Sequence, residues 1–136
     1  SAYHYRMSVR QLRGTYMFLD EASVTATENA IMAAVLAEGV TEIYNAAAEP
    51  HVQDLCRFLN ILGAQIEGIA TNSLRIQGVE SLHGGDFWIN SDHIEVGSYI
   101  GLAAVTRSEL VIEEAVPEHM YAVRLMLEKP PARVPW

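Results

Sequence analysis

Three stretches of the 136-residue sequence bring together side chains able to do chemistry. The first is ASVTATEN, where Ser23-Val24-Thr25 stands in front of an Ala-rich helical run. A helix presents unpaired N–H groups and the positive end of its dipole at its start, so this position suits a phosphate, with Ser23 and Thr25 adding hydroxyl donors. On spacing alone the ordinary N-cap of a core helix is the favoured role of these residues, and Glu21 and Glu28 would repel an anion there. The second stretch, SDHIEVGS, sets Asp92, His93 and Glu95 close together. Carboxylate beside imidazole is the raw material of acid–base catalysis or metal binding, although neighbours at a helix start do not all point one way and Asp92 is also a standard cap. The third is Cys56, the single cysteine. It lies on the helical face shared by Val52 and Leu59, which marks it as a small buried hydrophobe in preference to a nucleophile.

Other chemistries find no support. His51, His83 and His119 are far apart and lack any H-E-x-x-H spacing, so no metal site and no cofactor are expected. Neither G-x-x-x-x-G-K-[ST] nor G-x-G-x-x-G occurs. Seventeen acidic residues against nine basic ones give a net charge of −8, with the basic residues scattered, which argues against nucleic-acid binding. One cysteine excludes an intramolecular disulfide, and no window is apolar and long enough to span a bilayer. A soluble cytoplasmic protein without membrane contact is expected.

The elements that must position these residues follow a rhythm. Residues 12–20 read as a strand, preceded by a weaker alternation in YHYRMSV. Residues 27–38 read as a helix with a T-x-x-E capping box at Thr25 and Glu28, an apolar side of Ile31, Met32, Val35 and Leu36, and a stop at Gly39. VTEIYNA (40–46) is a strand, and Pro50 opens a second helix that ends near Gly63. Residues 65–79 form two short strands turning at Thr71-Asn72. The order β-α-β-α-β-β then starts again: DFWIN as a strand after a Gly84-Gly85 turn, a helix from Ile94 to Arg107, ELVIEEAV as a strand, and a helix in PEHMYAVRLMLEK. Ala33-Ala34-Val35 matches Ala103-Ala104-Val105, consistent with an internal repeat of about 70 residues whose second copy is incomplete. The expected fold is α/β (α+β), with helices on one face of a mixed sheet. Its divisions are 1–90, a complete unit; 91–129, a partial unit; and 130–136, an irregular tail. Uncovered edges predict self-association.

The phrases LDEASVTATENAIMAAVLAEGVTEIYNAAAEPHVQDLCRFLNILGAQIEGIATNSLRIQGV and HGGDFWINSDHIEVGSYIGLAAVT resemble the middle of the UDP-N-acetylglucosamine enolpyruvyl transferases, over residues 3 to 128. The related shikimate-pathway synthases share the architecture. Members of the family have two lobes of three β-α-β-α-β-β units, and the resemblance places a hinge near residues 90–93, between the last unit of one lobe and the start of the other. It implies transfer of the enolpyruvyl group of phosphoenolpyruvate to the 3-hydroxyl of the UDP-sugar, by addition and then elimination of phosphate. It carries a diphosphate contact to Ser23 and Val24, and to Thr25 where some members have glycine. Glu49, Asp92 and His93 fall in cleft-lining stretches, His93 standing where some members have arginine.

The family's Lys-Asn pair, cysteine loop, phosphoenolpyruvate-binding arginines and catalytic aspartate match nothing in this stretch. Cys56 is not the loop cysteine, and Lys129 matches no catalytic position. The resemblance therefore implies a fragment without catalytic residues of its own, binding UDP-N-acetylglucosamine weakly and phosphoenolpyruvate only within the full-length protein. The other reading is a recycled or engineered structural, self-associating or protein-binding module with no ligand chemistry.

Overall fold

The computed structural model describes His4 and residues 6–128. The chain divides into two compact units, one running to Phe87 and the other from Trp88. The proline-rich tail and Lys129 lie outside the described residues.

The first unit has the order β1 (Tyr16–Phe18), α1 (Val24–Ala34), β2 (Val40–Tyr44), α2 (Pro50–Ile61), β3 (Gln65–Glu67) and β4 (Ser73–Gln77). The four strands form one mixed sheet in the order β1-β2-β4-β3. β1 runs parallel to β2, while β4 is antiparallel to both β2 and β3. Strand alternation sorts the side chains cleanly: Ile43, Ile66, Leu74 and Ile76 turn into one core with Ile31 and Val35 from α1 and Val52, Cys56 and Leu59 from α2. The opposite sheet face carries Tyr16, Phe18 and Tyr44, the two tyrosine rings 4.8 Å apart. The α/β class and the β-α-β-α-β-β order are those expected from the sequence.

Local departures have local causes. α1 begins at Val24 and is capped by Ser23, whose Oγ accepts from Ala26 N; the capping box at Thr25 and Glu28 is not made. Its apolar side is narrower than the sequence suggests, since Ile31 and Val35 are buried while Met32 and Leu36 are about half exposed. The helix stops at Ala34, and Gly39 takes a left-handed φ of 90° in the turn to β2. Pro50 does occupy the first turn of α2. Residues 68–72 join β3 to β4 as a loop wider than a Thr71-Asn72 turn, held by the Thr71 hydroxyl, which lies 2.7 Å from Gly68 O and 2.8 Å from Ser73 O. YHYRMSV forms no strand among its described residues.

The second unit contains α3 (His93–Thr106), a 3₁₀ turn (Pro117–Met120) and α4 (Tyr121–Glu128). DFWIN and ELVIEEAV are not strands, so the repeated strand order is absent. An isolated strand leaves every ladder group unpaired, and the described residues beyond Phe87 provide none to pair with. Residues before that boundary are drawn to α2 instead: His83 N donates to Leu62 O at 2.8 Å, and the rings of Phe87 and Phe58 lie 5.6 Å apart. In the other segment Glu114 adopts a left-handed φ of 56°, which breaks an extended run.

Candidate functional site

Because β1 and β2 are parallel, the two connections that leave them for helices emerge at the same end of the sheet, the usual location of ligands in α/β folds. The Thr71-Asn72 loop reaches this end too, since Tyr44 pairs with Ser73. Four contacts join the segments. Leu19 N donates to Tyr44 O at 3.0 Å, and Asn45 Nδ2 donates to Leu19 O at 2.9 Å. Ala46 N donates to Asn72 O at 3.0 Å. Ala47 N donates to the Thr27 hydroxyl at 3.0 Å. Asn45 makes its turn in the left-handed region, φ 57°, which asparagine tolerates better than most residues.

Ser23, Val24 and Thr25 lie at this end. Ser23 is half-buried and Thr25 is exposed in the first helical turn, so the N–H groups that an α-helix leaves without intrahelical acceptors face this rim. Ser23 Oγ accepts the Ala26 N–H, at 3.3 Å. Glu49 is the residue preceding α2 and makes no side-chain cap bond; its Oε2 is buried with no hydrogen-bond partner among the described residues. The two helix starts and Glu49 therefore belong to one rim of the first unit.

Asp92 and His93 belong to the second unit. Asp92 is the cap of α3, its Oδ1 accepting from Ile94 N at 2.8 Å and Glu95 N at 3.3 Å. His93 starts that helix, its ring edge-on to His119 at 6.5 Å between centroids. The described residues hold no group of three or more His, Cys, Asp or Glu side chains able to bind a metal. Among the described residues no helix is long and apolar enough to cross a membrane.

Cys56 is 1% exposed. Burial pushes its thiol up from an ordinary 9.0 to about 11, the nearby Arg57 opposing. The thiol is thus protonated at neutral pH, and a disulfide-forming reagent at pH 8 should modify the native chain at least ~100-fold more slowly than the urea-unfolded chain. Equal rates would place Cys56 outside the core. Below pH 9 both states hold the proton; between about 9 and about 11 the unfolded thiol ionises first, so stability falls as pH rises through that window.

Thr27 and Asn45 escaped the sequence reading. Each gives a weak local signal, a β-branched hydroxyl within an Ala-rich helix and an asparagine ending a strand, but their partners lie 20 and 26 residues away.

The sequence matches the EPSP synthase (3-phosphoshikimate 1-carboxyvinyltransferase) family over residues 3–136. It is also similar to curated UDP-N-acetylglucosamine 1-carboxyvinyltransferases. Identity is 58% over 116 residues with that of Bacteroides fragilis, covering 85% of this chain and 27% of the relative. With that of Porphyromonas gingivalis it is 57% over 115 residues, covering 84% and 26%. With that of Treponema denticola it is 56% over 119 residues, covering 88% and 28%. The chain spans only 26 to 28% of the length of these relatives.

Proposed function

The chain belongs to the EPSP synthase family, and on that footing we propose that it is the interlobe portion of a UDP-N-acetylglucosamine enolpyruvyl transferase, a cytoplasmic enzyme of peptidoglycan precursor synthesis. The observation that carries this reading is identity of 56 to 58% with three enzymes of that name across most of the chain. In this reading the diphosphate of the UDP-sugar sits at the start of α1, on the N–H groups of Val24 and Thr25 and the Ser23 hydroxyl. The helix dipole favours the anion, and Glu21 and Glu28 weaken the attraction. Glu49 of the same rim, with Asp92 and His93 of the second unit, supports the substrate in the full-length enzyme. Residues up to about Asn90 end one lobe and those that follow begin the other.

Catalysis requires positioned charge around the reacting atoms, and this chain contains none of the groups to which the family's chemistry is attributed. The chain by itself therefore binds UDP-N-acetylglucosamine weakly and turns nothing over, one wall of a cleft being a poor ligand site. Phosphoenolpyruvate binds only in the complete protein. Self-association is a second reading, favoured by the exposed apolar side chains of Ile94, Tyr99, Leu102 and Val105 on α3 and by β1 and β3, each paired on one side only among the described residues.

An amide NMR titration with UDP-N-acetylglucosamine tests the reading. Saturable shifts confined to residues 23–28 and the neighbouring rim are expected, with a midpoint on the order of millimolar. A well-folded spectrum that does not change at ~10 mM ligand would remove the diphosphate site. Enolpyruvyl product from the purified chain would overturn its assigned inactivity. Relaxation rates from the same sample report whether it tumbles as one chain or more.

A further inference from the structure

We propose that Thr27 is a positioning residue whose hydroxyl locks the start of α1 to the β2–α2 connection, so that Ser23 and Glu49 act as parts of one site. What the site binds rests on the function proposed above; the lock itself exists without ligand.

Thr27 is 0% exposed in the first turns of α1, where an alanine would satisfy helix propensity better. Its Oγ1 donates to Ser23 O at 2.7 Å, the back-bond a threonine commonly makes within a helix. The same oxygen accepts the N–H of Ala47 at 3.0 Å. Ala47 is 2% exposed, so water is a poor substitute for that acceptor. One hydroxyl thus contacts the cap residue of α1 and, through Ala47, a backbone only two residues before Glu49. The β-branch restricts χ1, which holds the oxygen between its two partners. Asn45 and Ala46 fasten neighbouring points of the same connection, to Leu19 O and Asn72 O. The loss of the Thr27 hydroxyl should therefore loosen the rim without unfolding the unit.

Three variants separate positioning from general stability. Thr27→Val keeps the shape and removes the hydroxyl; Thr27→Ser keeps the hydroxyl. Ile66→Val is a core control within β3, away from the connection. Hydrogen exchange of the Ala47 amide, measured on ligand-free chain, should accelerate about tenfold or more in Thr27→Val and stay within about threefold of wild type in the other two. Amide shifts should change at both Ser23 and Glu49 in Thr27→Val. In the UDP-N-acetylglucosamine titration, Thr27→Val should raise the midpoint about fivefold or more, while Thr27→Ser and Ile66→Val remain near wild type.

Unchanged Ala47 exchange and unchanged Glu49 shifts in Thr27→Val would overturn the lock. Equal weakening of binding by Thr27→Val and Ile66→Val would reduce Thr27 to ordinary core packing. If wild type binds no UDP-sugar, the diphosphate reading fails on its own, and the ligand-free exchange and shifts still decide whether the lock exists.

Discussion

Replacing Ile43 with alanine is expected to lower the unfolding free energy of the first unit by about 3 kcal/mol, the middle of the range for emptying a fully buried isoleucine site. Ile43 is 0% exposed and sits within β2, opposite Leu74 of β4. β2 is paired on both sides, to β1 and to β4, and neither neighbour can move into the space without disturbing its own ladder. The cavity would open against the α1 and α2 residues of the same core, which is close-packed and relaxes only in part. Small domains bury less of their surface than large ones and have only about 5–15 kcal/mol to lose. The unfolded population should rise roughly 100-fold. Ile43→Val, which removes one methylene, should cost only about 1 kcal/mol. Urea denaturation followed by circular dichroism gives both values. A midpoint for Ile43→Ala equal to that of wild type would mean the β2 register is not the one described.

The same strand ties stability to the candidate site. Tyr44 ends β2, and the chain passes directly through Asn45, Ala46 and Ala47 to Glu49. A loosened Ile43 would reach that rim before the unit unfolds, since local openings run through contiguous segments. Hydrogen exchange at Ala46 and Ala47 should therefore accelerate in Ile43→Ala along with the global loss.

Much of this unit could be read from the sequence because its signals are local. VTEIY alternates with period two and buries Thr41 and Ile43 on one face. PHVQDLCRFLNI places Val52, Cys56 and Leu59 at helical spacing behind a proline, and the helix begins at that proline. DFWIN and ELVIEEAV look equally strand-like by composition. A strand, however, is completed by hydrogen bonds to another segment, and whether that segment is present is not written in the residues that would pair with it. The capping box expected at Thr25 and Glu28 failed for a related reason. Ser23 and Thr25 both have hydroxyls, and the choice was made by the backbone: Ser23 keeps an extended φ, ψ of −76°, 125°, while Thr25 is already inside the helix. At the rim, the Glu49 carboxylate and the hydroxyls of Ser23 and Thr25 were visible as residue types. The bond that Ala47 N donates to the Thr27 hydroxyl was not, because it depends on β1 and β2 lying parallel.

Gly78→Ala is the second large effect, and comparison with Gly39→Ala isolates its cause. Gly39 has φ 90° and open space where a Cβ would go, so alanine there meets only the left-handed penalty of about 1–2 kcal/mol. Gly78 has no such φ, yet its Cβ would run into the carbonyl of Ala37. That obstacle is backbone and cannot rotate aside. It lies in the turn between α1 and β2, to which the segment after β4 is fastened by Gly78 N to Gly39 O and Val79 N to Val35 O, both at 2.9 Å. Relief requires residues 78–79 to lift away, giving up both hydrogen bonds and uncovering Val35 and Ala37, now 2% and 5% exposed. Two lost bonds and the overpacking together amount to about 3 kcal/mol. Thermal or urea unfolding of the two variants should thus rank Gly78→Ala well below Gly39→Ala, with the Val79 amide losing its exchange protection only in the former. The reverse ranking would mean that the chain leaving β4 does not pack on the α1–β2 turn, and that the φ of Gly39 is the tighter constraint on how α1 feeds β2 and the rim at its end.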